Sequence, residues 1–448
     1  MIRKMLCGAG ALGMSLAVST AAFAQEAAAA AAPTVDKGDT AWMMTSTLLV
    51  LMMIMPGLAL FYGGLARTKN MLSVMTQVGA VACLAMLIWV AYGYSMSFGN
   101  DFSSDFLKQF ISNFDKSFLK GVTADSTAAT FSEGVAIPEY VFVCFQMTFA
   151  AITVALVLGS VVERMKFSAV MVFGAIWLTI VYFPVAHMVW AGSGLFFKMG
   201  ALDFAGGTVV HINAGVSALV AALILGKRIG YGKEIMAPHS LTMTGIGTGL
   251  LWVGWFGFNA GSALEANGSA GLAMMNTFVA TAAAGLAWMA TEKVAGHKPS
   301  ALGFCSGIIA GLVAVTPAAG NSGPLGAIVL GALAAVICYL AVTKLKGKFG
   351  YDDALDAFGV HGIGGMIGAI GTGVVYSSAL GGPAGADWVM ADQLKTQVLA
   401  VVTTIVWATV GTAVSIYVAK ALTGLRVSPE VEREGLDLGE HGERAYNY

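Results

Sequence analysis

Charge is scarce in this sequence. Of its 448 residues 11% are charged and 57% hydrophobic, and mean hydropathy is +0.77. Soluble domains carry about a quarter charged residues, so a water-facing globule is excluded and a bilayer is called for. The 24 Lys and Arg do not outnumber the 25 Asp and Glu, leaving no basic field to gather phosphates and no nucleic acid among the partners. Cysteine is limited to five scattered residues. Cys83, Cys144, Cys305 and Cys338 lack metal-ligand spacing and read as small buried apolar side chains. No dinucleotide or nucleotide-triphosphate loop and no zinc-protease His pair is found. No Ser or Cys comes with an identifiable base and oxyanion loop, so neither an enzyme nor a cofactor is called for. Glycine is abundant, 57 residues, as helices that approach closely in lipid require.

Residues 1–24 begin with Arg3 and Lys4, continue as an apolar run and end Ala22-Phe23-Ala24, the layout of a cleavable signal peptide. An uncleaved first span is the alternative. Residues 25–39 read as a flexible linker, 40–423 as a membrane domain and 424–448 as a charged tail. Apolar runs long enough to cross a ~30 Å hydrocarbon core lie near 41–66, 71–98, 138–160, 167–190, 205–226, 239–260, 269–291, 301–318, 325–343, 355–378 and 393–420. The fold class is therefore all-α, with eleven transmembrane helices. Gly364-x-x-x-Gly368 in the tenth fits a close helix crossing.

Lys and Arg collect in loops on the cytoplasmic side. Arg67 and Lys69, Arg164 and Lys166, Lys227 to Lys233, Lys293 and Lys298, and Lys344 to Lys348 follow spans one, three, five, seven and nine. The N-terminus is then expected outside and the C-terminus inside, in agreement with a signal peptide and an odd number of spans. The longest connection, Asn100 to Ser132, falls on the outer side.

Asp203 to His211 in the fifth span is echoed by Asp356 to His361 in the tenth: each begins acidic and reaches a histidine. Five spans apart, the two copies enter the membrane with opposite sense, so two inverted five-helix repeats around a central pore are expected. Ionisable side chains inside spans cost roughly 2.5–3.5 kcal/mol on insertion scales unless they face protein or water. His211 and His361 at matching places are thus candidates to pass a proton or accept an N–H from a small polar solute. A metal site is the rival reading, but His187, Asp203, Asp353 and Asp356 lack ligand-like spacing with the pair. Trp252 to Ser262 crowds aromatics, glycines and a hydroxyl at the outer end of span six, either a cation-attracting vestibule or an interfacial belt. Asp203 opens span five, where a carboxylate caps a helix N-terminus. The tail 426–444 reads as solvated surface where a regulator could dock.

Across nearly all of the mature sequence the chain resembles the ammonium transporter family of Amt, Mep and Rh type, most of all its bacterial Amt branch. The motifs are Pro56 to Gly64, Ala186 to Trp190, Asp203 to Asn213, Trp255 to Ser262, Val315 to Ala318 and Asp356 to Gly362. The resemblance implies a homotrimer in the bacterial inner membrane with one pore per subunit and ammonium or ammonia as substrate. It implies that Trp190 and Ser262, with Phe145 beside them, recruit ammonium and that Asp203 holds this region in shape. Phe149 and Phe258 would then close the pore, His211 and His361 line its lumen, and Thr316 lie near the outer opening. A PII-type signalling protein on the cytoplasmic exits is implied too, 432–437 resembling the family's tail. Whether the proton travels with ammonia stays open. An ammonium sensor or receptor is the alternative function; the short tail favours transport. No family motif is recognised in Asn100 to Ser132.

Overall fold

The computed structural model describes residues 33–446, so the signal-peptide expectation and most of the linker lie outside the described residues. Eleven helical spans follow: α1 (Lys37–Leu65), α2 (Thr68–Phe98), α3 (Glu139–Ser160), α4 (Phe167–Lys198), α5 (Gly207–Leu225), α6 (Leu241–Gly261), α7 (Gly268–Val294), α8 (Ala301–Ala318), α9 (Pro324–Phe349), α10 (Phe358–Val375) and α11 (Met390–Thr423). Each is apolar and long enough to cross a bilayer. In lipid every backbone group must find a partner within the protein, which is why apolar runs of this length are helices. α1 kinks at Met55, just before Pro56, whose ring removes a helical donor. α4 breaks at 191–194.

Helix starts are capped by nearby side chains. Asp36 accepts from Gly38 N and Asp39 N, Ser240 from Met243 N, Asn267 from Ser269 N and Ala270 N, and Ser300 from Gly303 N. Each occupies the N-cap position, where a short polar side chain satisfies an orphan amide. Small residues then let helices cross closely. A Cβ on Gly331 would lie 2.3 Å from Ala280 O, and one on Gly368 2.4 Å from Ala314 O. Gly364 and Gly368 therefore seat α10 against α8 as the spacing suggests. Val402, Val406 and Val410 on α11, with Leu325, Val329 and Leu333 on α9, are exposed. In water such faces would be a liability; a hydrocarbon setting tolerates them.

Three features depart from the sequence reading. The segment expected as linker up to residue 39 is structured from 34 onward: Thr34–Val35 is strand β1, and α1 has begun by Lys37. With β2 (Thr127–Ala129) and β3 (Val135–Pro138) it forms a small sheet of order β1-β3-β2, β1 parallel and β2 antiparallel to β3. The face carrying it is called the insert face below. Cys305 and Cys338 are buried, but Cys83 and Cys144 face outward. Finally, the tail at the opposite face is more than solvated surface. It folds as α12 (Pro429–Glu434) and α13 (Leu436–His441), and its acids cap spans. Asp437 accepts from Leu72 N and Ser73 N at 3.1 and 2.7 Å, and Glu440 from Phe167 N at 2.8 Å. The α2 and α4 N-termini thus draw in carboxylates that sequence distance hides.

Beside the tail, a buried ion network joins four segments. Arg228 forks onto Asp352, with N···O separations of 2.8–3.2 Å, and reaches Glu163 at 2.8 Å. Arg67 meets Glu163 at 2.9 Å, and Arg164 Nη2 donates to Asp352 O at 2.9 Å. Burial alone would raise both carboxyls, but Arg228 and Arg67 hold Glu163, and Arg228 and Arg164 hold Asp352, below the usual carboxylate range. A carboxylate depressed on folding contributes stability that is present above its unfolded value near 4 and is lost as pH falls through the lower folded value. Thermal melts in detergent should therefore drop steeply in this acidic window. Arg228→Leu should lower stability by about 3–5 kcal/mol at neutral pH, because two buried carboxylates lose their shared partner. Its melting curve should then be flatter with pH than the native one.

Candidate functional site

Two helices start inside the bundle, and each is started by a carboxylate. Asp203 accepts from the amides of Gly206, Gly207, Thr208 and Val209 and from the Thr208 hydroxyl. Asp353 does the same for α10, accepting from Ala357, Phe358 and Gly359 amides at 3.0, 2.9 and 3.3 Å and from the Ser160 hydroxyl. Each carboxylate lies eight residues before a histidine. The sequence echo had aligned Asp203 with Asp356; the structural counterpart is Asp353. Asp356 instead pairs with Lys346 at 2.6 Å and sits at φ 60°. The two helices touch where the histidines stand: a Cβ on Gly215 would lie 2.1 Å from Gly362 N, and one on Gly365 3.0 Å from His211 Cβ. Only glycine permits that crossing.

At the insert face, Trp190 Nε1 donates to Asp203 O at 3.0 Å, tying the end of the α4 helix to the α5 cap. Phe149 stands edge-on to Trp190 with centroids 5.6 Å apart, meets Phe145 at 4.9 Å and stacks on Phe258 at 4.3 Å. Ser262 donates its hydroxyl proton to Phe258 O at 2.8 Å, so its lone pairs remain free to accept. Phe145, Phe149, Phe258 and Trp190 thus form one aromatic column, and a desolvated aromatic face attracts a cation.

Below Phe258 the column continues through His211, 6.0 Å away, flanked by Trp255 at 5.5 Å and His361 at 5.3 Å. The histidines meet Nδ1 to Nδ1 at 3.3 Å. Their tautomers follow from the donor inventory. Thr316 gives its proton to Leu312 O and accepts from Trp255 Nε1 at 2.9 Å. Toward His211 Nε2, 3.3 Å away, it can only accept. For neutral rings His211 is then protonated at Nε2, its Nδ1 accepts from His361 Nδ1–H, and His361 Nε2 is left bare. Thr316 is accordingly not at the outer opening, where the resemblance had put it; it lies buried against His211. Trp255, read from sequence only as part of an aromatic cluster, lines the same column.

His361 also borders a cavity of about 440 Å³ on the tail side, lined among others by Tyr62, Arg228, Lys346 and Asp356. Around the Phe258 ring and the histidines only about 10 Å³ remains, room for about one water. His187 lies elsewhere, between Lys108 O at 2.8 Å from Nε2 and the Ser112 hydroxyl at 3.2 Å from Nδ1. Among the described residues no three His, Cys, Asp or Glu side chains gather to hold a metal.

A polytopic helical membrane protein with a narrow apolar passage, an aromatic mouth at one face and a polar-lined cavity at the other is a conduit for a small solute. The model of the Ammonium Transporter Family matches residues 41–446, and the chain belongs to that family. It is 47% identical over 439 residues to an ammonium transporter of Aquifex aeolicus, covering 98% of this chain and 99% of the relative. An ammonium transporter of Bacillus subtilis is 44% identical, with 91% and 98% covered. Among solved structures, Saccharomyces cerevisiae Mep2 superposes with a TM-score of 0.78 at 34% identity, 88% of each chain covered. One named Sensor Amt Protein does so at 0.81 and 27%, covering 90% and 98%.

Proposed function

We propose that the protein recruits ammonium at Trp190, Phe145 and Ser262 and passes ammonia between Phe149 and Phe258 and along His211 and His361 into the cytoplasm. The single observation that carries the reading is the histidine pair directly beneath a stacked phenylalanine gate. A bare ammonium ion in that passage would lose its water with no counter-charge, whereas neutral ammonia loses far less. Deprotonation at the gate follows, with Asp203 holding the mouth through the Trp190–Asp203 bond. Potassium, of similar size, has no proton to leave behind.

The basic loops favour an insert face in the periplasm and a tail in the cytoplasm of a bacterial inner membrane. The matching caps at Asp203 and Asp353 support two inverted five-helix repeats. By family membership the working form is a homotrimer, and a PII-type protein on the cytoplasmic cavity is the expected regulator. The test is current and internal pH in proteoliposomes given ammonium or potassium pulses. A saturable response to ammonium and none to potassium is expected; equal responses would sink the proposal. The likeness to a sensor protein favours one second reading, ammonium reception, which predicts binding at the mouth without flux.

A further inference from the structure

The segment 100–138 lines no part of the passage, yet it grips the protein on several sides of the aromatic mouth. We infer that this insert is a brace that sets the geometry of the outer cation site, with His187, Glu265 and Glu139 as its positioning residues. The inference rests on the recruitment role proposed above for Trp190, Ser262 and Phe145.

His187 stands one helical turn before Trp190 and is fully buried. Its Nδ1 lies 2.9 Å from Ser97 O and 3.2 Å from Ser112 Oγ, and its Nε2 2.8 Å from Lys108 O. In the neutral ring one nitrogen donates and the other accepts: Nε2–H donates to Lys108 O and Nδ1 accepts from the Ser112 hydroxyl, so both hold the chain that leaves α2 for the insert. Glu265 comes three residues after Ser262; its carboxylate accepts from Ser132 N at 3.1 Å and from Ser132 Oγ at 2.8 Å. Glu139 begins the helix that carries Phe145, and its carboxylate accepts from Tyr94 OH at 2.7 Å and from Lys116 of the insert. Its own amide donates to Ser126 O at 2.8 Å.

Each grip therefore lies within two turns of a different recruitment residue, on α3, on α4 and just past α6. Two of those residues sit where helices stop: Trp190 before the break in α4, Ser262 after the last residue of α6. A helix end has lost its own ladder of hydrogen bonds, so its side-chain positions depend on what is bonded from outside. Hydrogen bonds, charge-assisted at Glu265 and Glu139, supply that hold with little play.

The full-length protein carrying Ser132→Ala, Glu265→Gln or His187→Gln should be compared with native in proteoliposomes and, purified in detergent, in equilibrium binding of methylammonium. Half-saturating ammonium and the methylammonium Kd should both rise about fivefold per variant, the weight of one lost hydrogen bond, with maximal current kept within about twofold. Ser132→Ala combined with Glu265→Gln should exceed neither single change much, since both remove one contact. Ser132→Thr, which restores the hydroxyl, should return the native value. Half-saturation and Kd unchanged in all three variants, or a loss of maximal current alone, overturns the brace. Ser132 lies in the loop itself, so its variants report even where His187→Gln fails to fold. A native protein that binds methylammonium but carries no current would remove the transport reading and leave the Kd comparison to decide the brace.

Discussion

Replacing His361 with phenylalanine should cut ammonium-driven current by about 10²-fold or more, the usual weight of a positioned proton-transfer group. The ring would fill the imidazole's space among glycines, so the helix crossing survives. What disappears is the Nδ1–H that His211 accepts and an imidazole that borders the tail-side cavity. With His361 gone, a proton taken up by His211 has no second imidazole to pass to on the way to the tail-side cavity. His211→Phe should be as damaging to current and should also strand Thr316, whose remaining lone pair loses its donor. The check is current against ammonium concentration, with melting temperature beside it. Native-like current in His361→Phe would remove the pair from the proton's route and leave it as lumen lining.

Asp203→Ala carries the second large effect, this time on stability and flux together. Four amides and a hydroxyl converge on this carboxylate in the low-dielectric interior. Each buried donor left unpaired costs about 1–3 kcal/mol, and those that water cannot reach sum to several. The start of α5 should unwind by a turn, moving Asp203 O, which holds Trp190. Low expression, a depressed melting temperature and no saturable current are expected. Asp203→Asn keeps the acceptor oxygen but turns an amide group toward donors, so it should fall between the two. Asp353→Ala should destabilise comparably through α10, with the mouth intact. Normal melting of both alanine variants would show that the caps are dispensable.

Much of the site was legible because its signals are local. The spacing of eight residues from Asp203 to His211 is present in the chain, and so is the same spacing from Asp353 to His361. Choosing Asp356 instead was an error of register: three carboxylates crowd residues 352–356, and only the amides they accept tell them apart. Asp353 aims along the α10 start, Asp352 back at Arg228 and Asp356 at Lys346. Thr316 was misplaced for a related reason. Its sequence neighbours mark the end of α8, but what it touches is set by how deeply that end is buried beside α5.

What the sequence by itself determined was the number of spans, their limits to within a few residues outside the fourth, whose helix resumes past 190, and the ninth, and the presence of two histidines where lipid would not tolerate them. Hydropathy and caps act over one or two turns, so they can be read along the chain. Tertiary structure decided the rest: which histidine nitrogen meets which, that tail acids cap α2 and α4, and that residues 100–138 grip the mouth. Those pairings join residues up to 365 apart. They exist only once glycine-lined crossings bring the helices close enough for hydrogen bonds to choose their partners.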